Sequence, residues 1–177
     1  DRYADLTQEP LFPFGHGLSY TEYRYSNLQL SASRLTHGQS VMVSIDVENT
    51  GGRAGDEIVQ VYVSDVVTSA TWVNKALKGF ARMHLEPGEK KTARIELPWQ
   101  AFQIVDADGC SVVEPGEFEI LVGLSSRDRD LLKTVFRGSS GHNRNPYCRL
   151  SGVSRFPRRR EWPAARCAPE TGRSRDR

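Results

Sequence analysis

An all-β, antiparallel β-sandwich of about seven strands is the fold this sequence predicts. Three observations point to it: apolar and polar residues alternate with a period of two in several short runs, Pro, Gly and Asn punctuate the gaps between them, and no stretch holds a convincing helical period. At 177 residues the chain is long enough for one ordinary hydrophobic core.

The clearest run is Ser40 to Asn49, with Val41, Val43, Ile45 and Val47 on one side and Met42, Ser44, Asp46 and Glu48 on the other. Asn49-Thr50-Gly51-Gly52 follows, residues that tolerate positive φ and so suit a turn. Glu57 to Asp65 resumes the pattern, Val59, Val61 and Val63 against Ile58, Gln60, Tyr62 and Ser64. Thr92 to Leu97 alternates Ala93, Ile95 and Leu97 with Arg94 and Glu96, and Phe118, Ile120, Val122 and Leu124 repeat the motif. Each of these last two runs follows a Glu-Pro-Gly-Glu turn, at 86–89 and 114–117, in which Pro presets φ and Gly takes the left-handed place of a type II turn. Shorter candidates are Tyr25 to Ser31, Leu77 to Met83, Phe102 to Val105 and Leu132 to Phe136, with a possible helical turn near Pro98 to Phe102. A lone antiparallel sheet leaves one apolar face wet, whereas two facing sheets bury both at about 1.5–3 kcal/mol per large side chain. A sandwich of the immunoglobulin or fibronectin type is therefore preferred over an open barrel.

Charge divides the chain. The segment 139–177 holds ten Arg, no Lys and three acidic residues, a net charge of +7, which leaves the rest at −5. With Arg158-Arg159-Arg160 and four prolines but almost no apolar period, this tail has the composition of a disordered segment, not a nucleic-acid arm. Arginine without lysine also fits translation of a GC-rich stretch out of frame or through a retained intron. Cys148 and Cys167 fall in the tail and Cys110 stands alone in the body, so no disulfide framework is expected within the body. The first residues lack a charged-then-apolar leader, so no signal peptide is expected there, and no run approaches the 18 apolar residues of a membrane span.

Several strings are specific. Pro10-Leu11-Phe12-Pro13-Phe14-Gly15-His16-Gly17-Leu18-Ser19-Tyr20-Thr21 resembles the segment that leads into the C-terminal, fibronectin type III-like domain of family 3 glycoside hydrolases. Val47-Glu48-Asn49-Thr50-Gly51, the stretch Gly55 to Val63, Leu77-Lys78-Gly79-Phe80, Leu85 to Glu89 and Pro115-Gly116-Glu117-Phe118 follow in that domain's order. The resemblance covers Glu9 to about Phe136 and departs from the family at Thr71 to Ala76, where a Pro and an acidic residue are usual. It implies a linker at 1–22, a sandwich at 23–138 and the tail at 139–177, packed beside upstream domains that carry the catalytic Asp and the acid/base carboxylate. Retaining hydrolysis needs two carboxyl groups about 5–5.5 Å apart around a sugar ring, and neither upstream region lies in this sequence, so no catalytic residue is assigned. The family also implies a secreted or extracellular setting.

The aromatic crowding of Leu11 to Tyr25, broken by Pro and Gly, reads as a docking linker, with Phe12, Phe14, His16 and Tyr20 as candidate interdomain contacts. Trp72, in a loop with Ser69, Thr71 and Asn74, is a candidate sugar platform, while Trp99 after Pro98 reads as core or corner packing. Asp106-Ala107-Asp108-Gly109 lacks the remaining ligands of a calcium loop and reads as a tight turn. His37, His84, Cys110 and His142 show no metal spacing, and the pairs Asp46/Glu48 and Asp56/Glu57 read as solvated strand faces. The expected function is a non-catalytic accessory domain of a glycosidase for terminal β-linked glucosyl or xylosyl residues, without cofactor, nucleic acid or membrane, its partners being upstream catalytic domains and carbohydrate a further candidate. The alternatives are an autonomous carbohydrate-binding module and an extracellular adhesion-type sandwich.

Overall fold

A computed structural model describes residues 10–66, 74–105 and 109–138 and the backbone of 141–142. The strands run β1 (Tyr23–Leu30), β2 (Arg34–Leu35), β3 (Val41–Asn49), β4 (Gly55–Asp65), β5 (Ala76–Leu85), β6 (Lys90–Leu97), β7 (Ile104–Val105), β8 (Ser111–Val113), β9 (Gly116–Gly123), β10 (Leu131–Gly138) and β11 (Gly141–His142). Seven of them, β1, β3, β4, β5, β6, β9 and β10, are eight to eleven residues long and form the body of the sandwich.

One sheet has the order β1-β3-β6 and the facing sheet the order β2-β10-β9-β4-β5, with a small sheet β11-β8-β7 beside them. The valine-rich faces meet as expected. Val41, Val43, Ile45 and Val47 of β3 pack with Ala93, Ile95 and Leu97 of β6 against Val59, Val61 and Val63 of β4 and Phe118, Ile120 and Val122 of β9, all buried. Phe102 sits at their end with Phe118, edge-on at a ring-centroid distance of 5.5 Å, and with Phe136, tilted at 5.6 Å. The turn near Pro98 is a 3-10 turn, Trp99–Phe102, and Trp99 is buried in the core with the His37 ring 4.9 Å from its own.

Some expectations change. The pairing is antiparallel except where β2 runs parallel to β10, because the chain after β1 leaves its sheet and reaches the edge of the other. Gly88 takes φ +74° in the first Glu-Pro-Gly-Glu turn, but Gly116 lies outside the left-handed region and opens β9. The difference is local: the Glu89 amide closes the first turn on the Glu86 carbonyl at 2.9 Å, whereas Gly116 and Glu117 are already paired in extended conformation with β10. Between β3 and β4, Gly51 and Gly52 avoid positive φ too. Phe102 ends the 3-10 turn, so the strand expected at Phe102 to Val105 shrinks to Ile104–Val105. Past residue 138, β11 pairs with β8 at Val112 and Val113. Cys110 is disulfide-bonded. The remainder of the tail, with Cys148 and Cys167, and Asp106 to Asp108 lie outside the described residues, whereas Gly109 has φ +78° as a tight turn requires.

Candidate docking surface

Alternation places Ile58, Gln60, Tyr62 and Ser64 on the outer side of β4, and a strand face turned outward is expected to be wet. Gln60 and Tyr62 are instead buried. The cover is the segment that leads into β1. Pro13 to His16 form a turn in which the His16 amide donates to the Pro13 carbonyl at 3.0 Å and Gly15 adopts φ +77°, the left-handed third position of a type II turn. This turn lies on Tyr62, whose ring meets that of Phe14 edge-on at 6.5 Å, while Tyr62, Leu121 and Leu131 form a small apolar cluster of their own on the outer face.

Polar bonds hold the segment there. The Ser126 amide donates to the Phe14 carbonyl at 2.9 Å, the Gln60 side-chain amide donates to the Gly15 carbonyl at 3.1 Å, and the Arg127 guanidinium donates to the Leu11 carbonyl at 3.3 Å. Further along, the Thr21 hydroxyl donates to the Asn49 side-chain oxygen at 2.6 Å. Asn49 is fully buried and every polar atom on it is used. Its side-chain oxygen also accepts from the Gly51 amide, and its side-chain nitrogen donates to the carbonyls of Arg53 and Leu85. Its backbone joins Gly88 and Glu89. Gly51 is needed here for space and not for φ, since a Cβ would fall 2.2 Å from the Thr21 hydroxyl.

With its backbone turned inward and Pro13 buried, the segment turns its large apolar side chains out. Leu18 is 96% exposed, Tyr20 92%, Leu11 81%, Phe12 71% and Phe14 65%, and only Phe12 and His16 lean on one another, at 5.5 Å. Apolar exposure continues onto the sheet at Ile58 and Phe80, and Phe80 is the cross-strand partner of Gln60. Monomeric surfaces seldom gather large apolar side chains in this way without an interaction to serve.

Between the leading segment and β4 runs a groove of about 500 Å³, lined among others by Leu18, Tyr23, Asp56, Glu57 and Ile58. Glu57 had been expected on a solvated face; it is buried, because at the start of β4 it falls in register with Val59 on the inner side. It accepts from the Tyr25 hydroxyl at 2.5 Å, and burial raises its carboxyl above the usual range against the opposing effect of that bond. The Tyr25 hydroxyl is pushed up by burial and by the neighbouring carboxylate. Asp56 faces outward and is held low by hydrogen bonds from Arg82, at 2.7 Å, and His84, at 3.0 Å. Both carboxylates beside the groove are thus committed to protein partners. Among the described residues, no three His, Cys, Asp or Glu side chains gather as a metal ligand set.

Phe12, Phe14, His16 and Tyr20 therefore share one segment and one surface, whereas Trp72 lies outside the described residues. Sequence reasoning missed Gln60, Tyr62 and Asn49, the side chains that hold this segment in place. The available signals were an aromatic and an amide at outward positions of β4, and an Asn closing β3 just before Gly.

The model of the fibronectin type III-like domain matches residues 57–126. A β-xylosidase of Formosa agariphila is 46% identical over 134 residues, and the thermostable β-glucosidase B of Acetivibrio thermocellus 47% over 140; each match takes in 76% of this chain and 18% of the relative. Among solved structures, a β-glucosidase involved in saponin metabolism from intestinal bacteria superposes with a TM-score of 0.73 at 48% identity, over 78% of this chain and 19% of that one. The β-glucosidase of Listeria innocua in complex with glucose gives 0.72 at 35% identity, over 80% and 19%. The chain thus spans less than a fifth of the length of these relatives.

Proposed function

Because this chain carries the fibronectin type III-like domain of the family 3 glycoside hydrolases, we propose that it serves as the non-catalytic accessory domain of a larger glycosidase, docked on the upstream domains through its leading segment. The observation that carries this reading is the two-sidedness of residues 10–21. Their carbonyls are bonded to the sandwich, while Leu11, Phe12, Phe14, Leu18 and Tyr20 face outward. Burying such side chains against a second surface is worth about 1.5–3 kcal/mol each, enough to hold two covalently linked domains together. Phe12, Phe14, His16 and Tyr20 are the contacts we assign to that interface.

The non-catalytic part of the reading is supported by the state of the groove carboxylates. Glu57 is engaged by Tyr25 and Asp56 by Arg82 and His84, so neither is placed as half of an acid and nucleophile pair around a sugar ring. For the whole protein we propose hydrolysis of terminal β-linked glucosyl or xylosyl residues, the activities in the names of the similar proteins. The test is hydrolysis of aryl β-glucosides and β-xylosides by the purified chain and by the protein extended upstream. Turnover by the extended protein alone is expected; turnover by this chain would overturn the proposal.

A further inference from the structure

We infer that Gln60 is the positioning residue that fixes the leading segment on the sandwich and so sets the direction in which its apolar side chains face. The consequence for docking rests on the function proposed above, but the joint itself stands on its own geometry. Gln60 occupies an outward position of β4 and yet is only 6% exposed. Its side-chain nitrogen donates to two carbonyls, Gly15 at 3.1 Å and Leu124 at 2.7 Å, and its side-chain oxygen accepts from the Tyr62 hydroxyl at 2.6 Å. One carboxamide thereby ties together β4, the leading turn and the connection between β9 and β10.

The chemistry of that joint admits few residues. Two carbonyl oxygens call for two N–H donors, and the tyrosine hydroxyl calls for an acceptor on the same group; an amide offers both. A carboxylate of the same shape would turn an oxygen toward two carbonyls. An aliphatic side chain would leave the Gly15 and Leu124 carbonyls without this donor in a buried place, and the Tyr62 hydroxyl with the Phe14 carbonyl 3.5 Å away as its acceptor. The other half of the joint is as restrictive. Gly15 has φ +77°, and a Cβ on it would lie 2.0 Å from the Gln60 side-chain oxygen, so space and backbone conformation both require glycine.

The Ser126 amide, bonded to the Phe14 carbonyl, reports whether the segment is seated. Native-state amide exchange on the whole chain, compared with Gln60→Glu and Gly15→Ala, is the experiment. Gln60→Glu is expected to lower protection at Ser126 about ten- to hundredfold while the amides of β3 change less than about twofold. Acidification that protonates the introduced carboxyl is expected to restore part of the Ser126 protection, since a carboxylic acid donates once more; a merely structural lesion would not recover. Gly15→Ala, which keeps the Gln60 carboxamide but sets a Cβ against its oxygen, is expected to reproduce the loss. Unchanged protection at Ser126 in both variants, or equal loss there and in β3, would overturn the inference. Failure of the docking proposal reads differently: Leu18→Ser and Tyr20→Ser would leave the extended protein unaffected, with Ser126 protection as in the parent.

Discussion

The two sheets wear their outer faces differently. On the three-stranded sheet, Met42, Ser44, Asp46 and Glu48 alternate with the buried residues of β3 and stay partly open to solvent. Asp46 is served there by Thr92 at 2.6 Å, Asn27 at 2.8 Å and Lys90 at 3.0 Å. On the five-stranded sheet the equivalent outward positions of β4, Gln60 and Tyr62, lie beneath the leading segment. An alternating pattern says which side chains share a face; it does not say whether another part of the chain will cover that face. The covered face belongs to the sheet that carries the proposed docking surface.

This contrast can be broken by mutation. Tyr62→Ala removes a buried ring and the hydroxyl on Gln60, and should destabilise the domain by about 3–5 kcal/mol in urea unfolding, while Met42→Ser, outward on the other sheet, should stay within about 0.5 kcal/mol. Equal effects would erase the distinction. Asn49→Ala leaves the carbonyls of Arg53 and Leu85 and the Thr21 hydroxyl without their bonds, a loss of roughly 2–4 kcal/mol in the same assay.

Acidity sharpens the comparison at smaller scale. Burial raises the Glu57 carboxyl, so its contribution to stability is fully present below pH 4.5 and is lost as pH rises through its folded value. Glu57→Gln keeps an acceptor for Tyr25 and is expected to raise the melting temperature at pH 7 relative to the parent, with the gain vanishing below pH 4. On the polar face the sign is opposite. Asp46 is held down to about 2 by Thr92, Asn27 and Lys90, so its contribution is present above pH 3.8 and disappears as pH falls through about 2. Asp46→Asn should lower stability at neutral pH, where the carboxylate's contribution is present, and flatten the acid limb, the difference from the parent vanishing as pH falls through about 2, read by thermal melts from pH 2 to 7.

The long strands were legible because each carries several periods of alternation, and β3, β4, β6 and β9 bury the residues their patterns nominate, apart from Leu124, which lies past the end of β9 and is half-buried. Strands β2, β7, β8 and β11 have two or three residues each, too few to hold a period, and are set by where neighbouring strands place them. Glu-Pro-Gly-Glu made a left-handed turn at 86–89 but not at 114–117, where Gly116 and Glu117 pair with β10, a long-range partner that the local string does not reveal. The aromatic surface of residues 10–21 was legible from composition, but its fixing was not. Gln60 and Gly15 are 45 positions apart and Asn49 and Thr21 are 28 apart, and no local pattern links residues at such distances.

The most direct test of docking uses Leu18→Ser with Tyr20→Ser, the two most exposed apolar side chains of the leading segment, in this chain and in the protein extended upstream, followed by urea unfolding of the sandwich. The account predicts a change within about 0.5 kcal/mol in this chain and a loss of about 2 kcal/mol or more in the extended protein. The same small change in both would contradict it, since those side chains would then be as exposed in the larger protein as they are here.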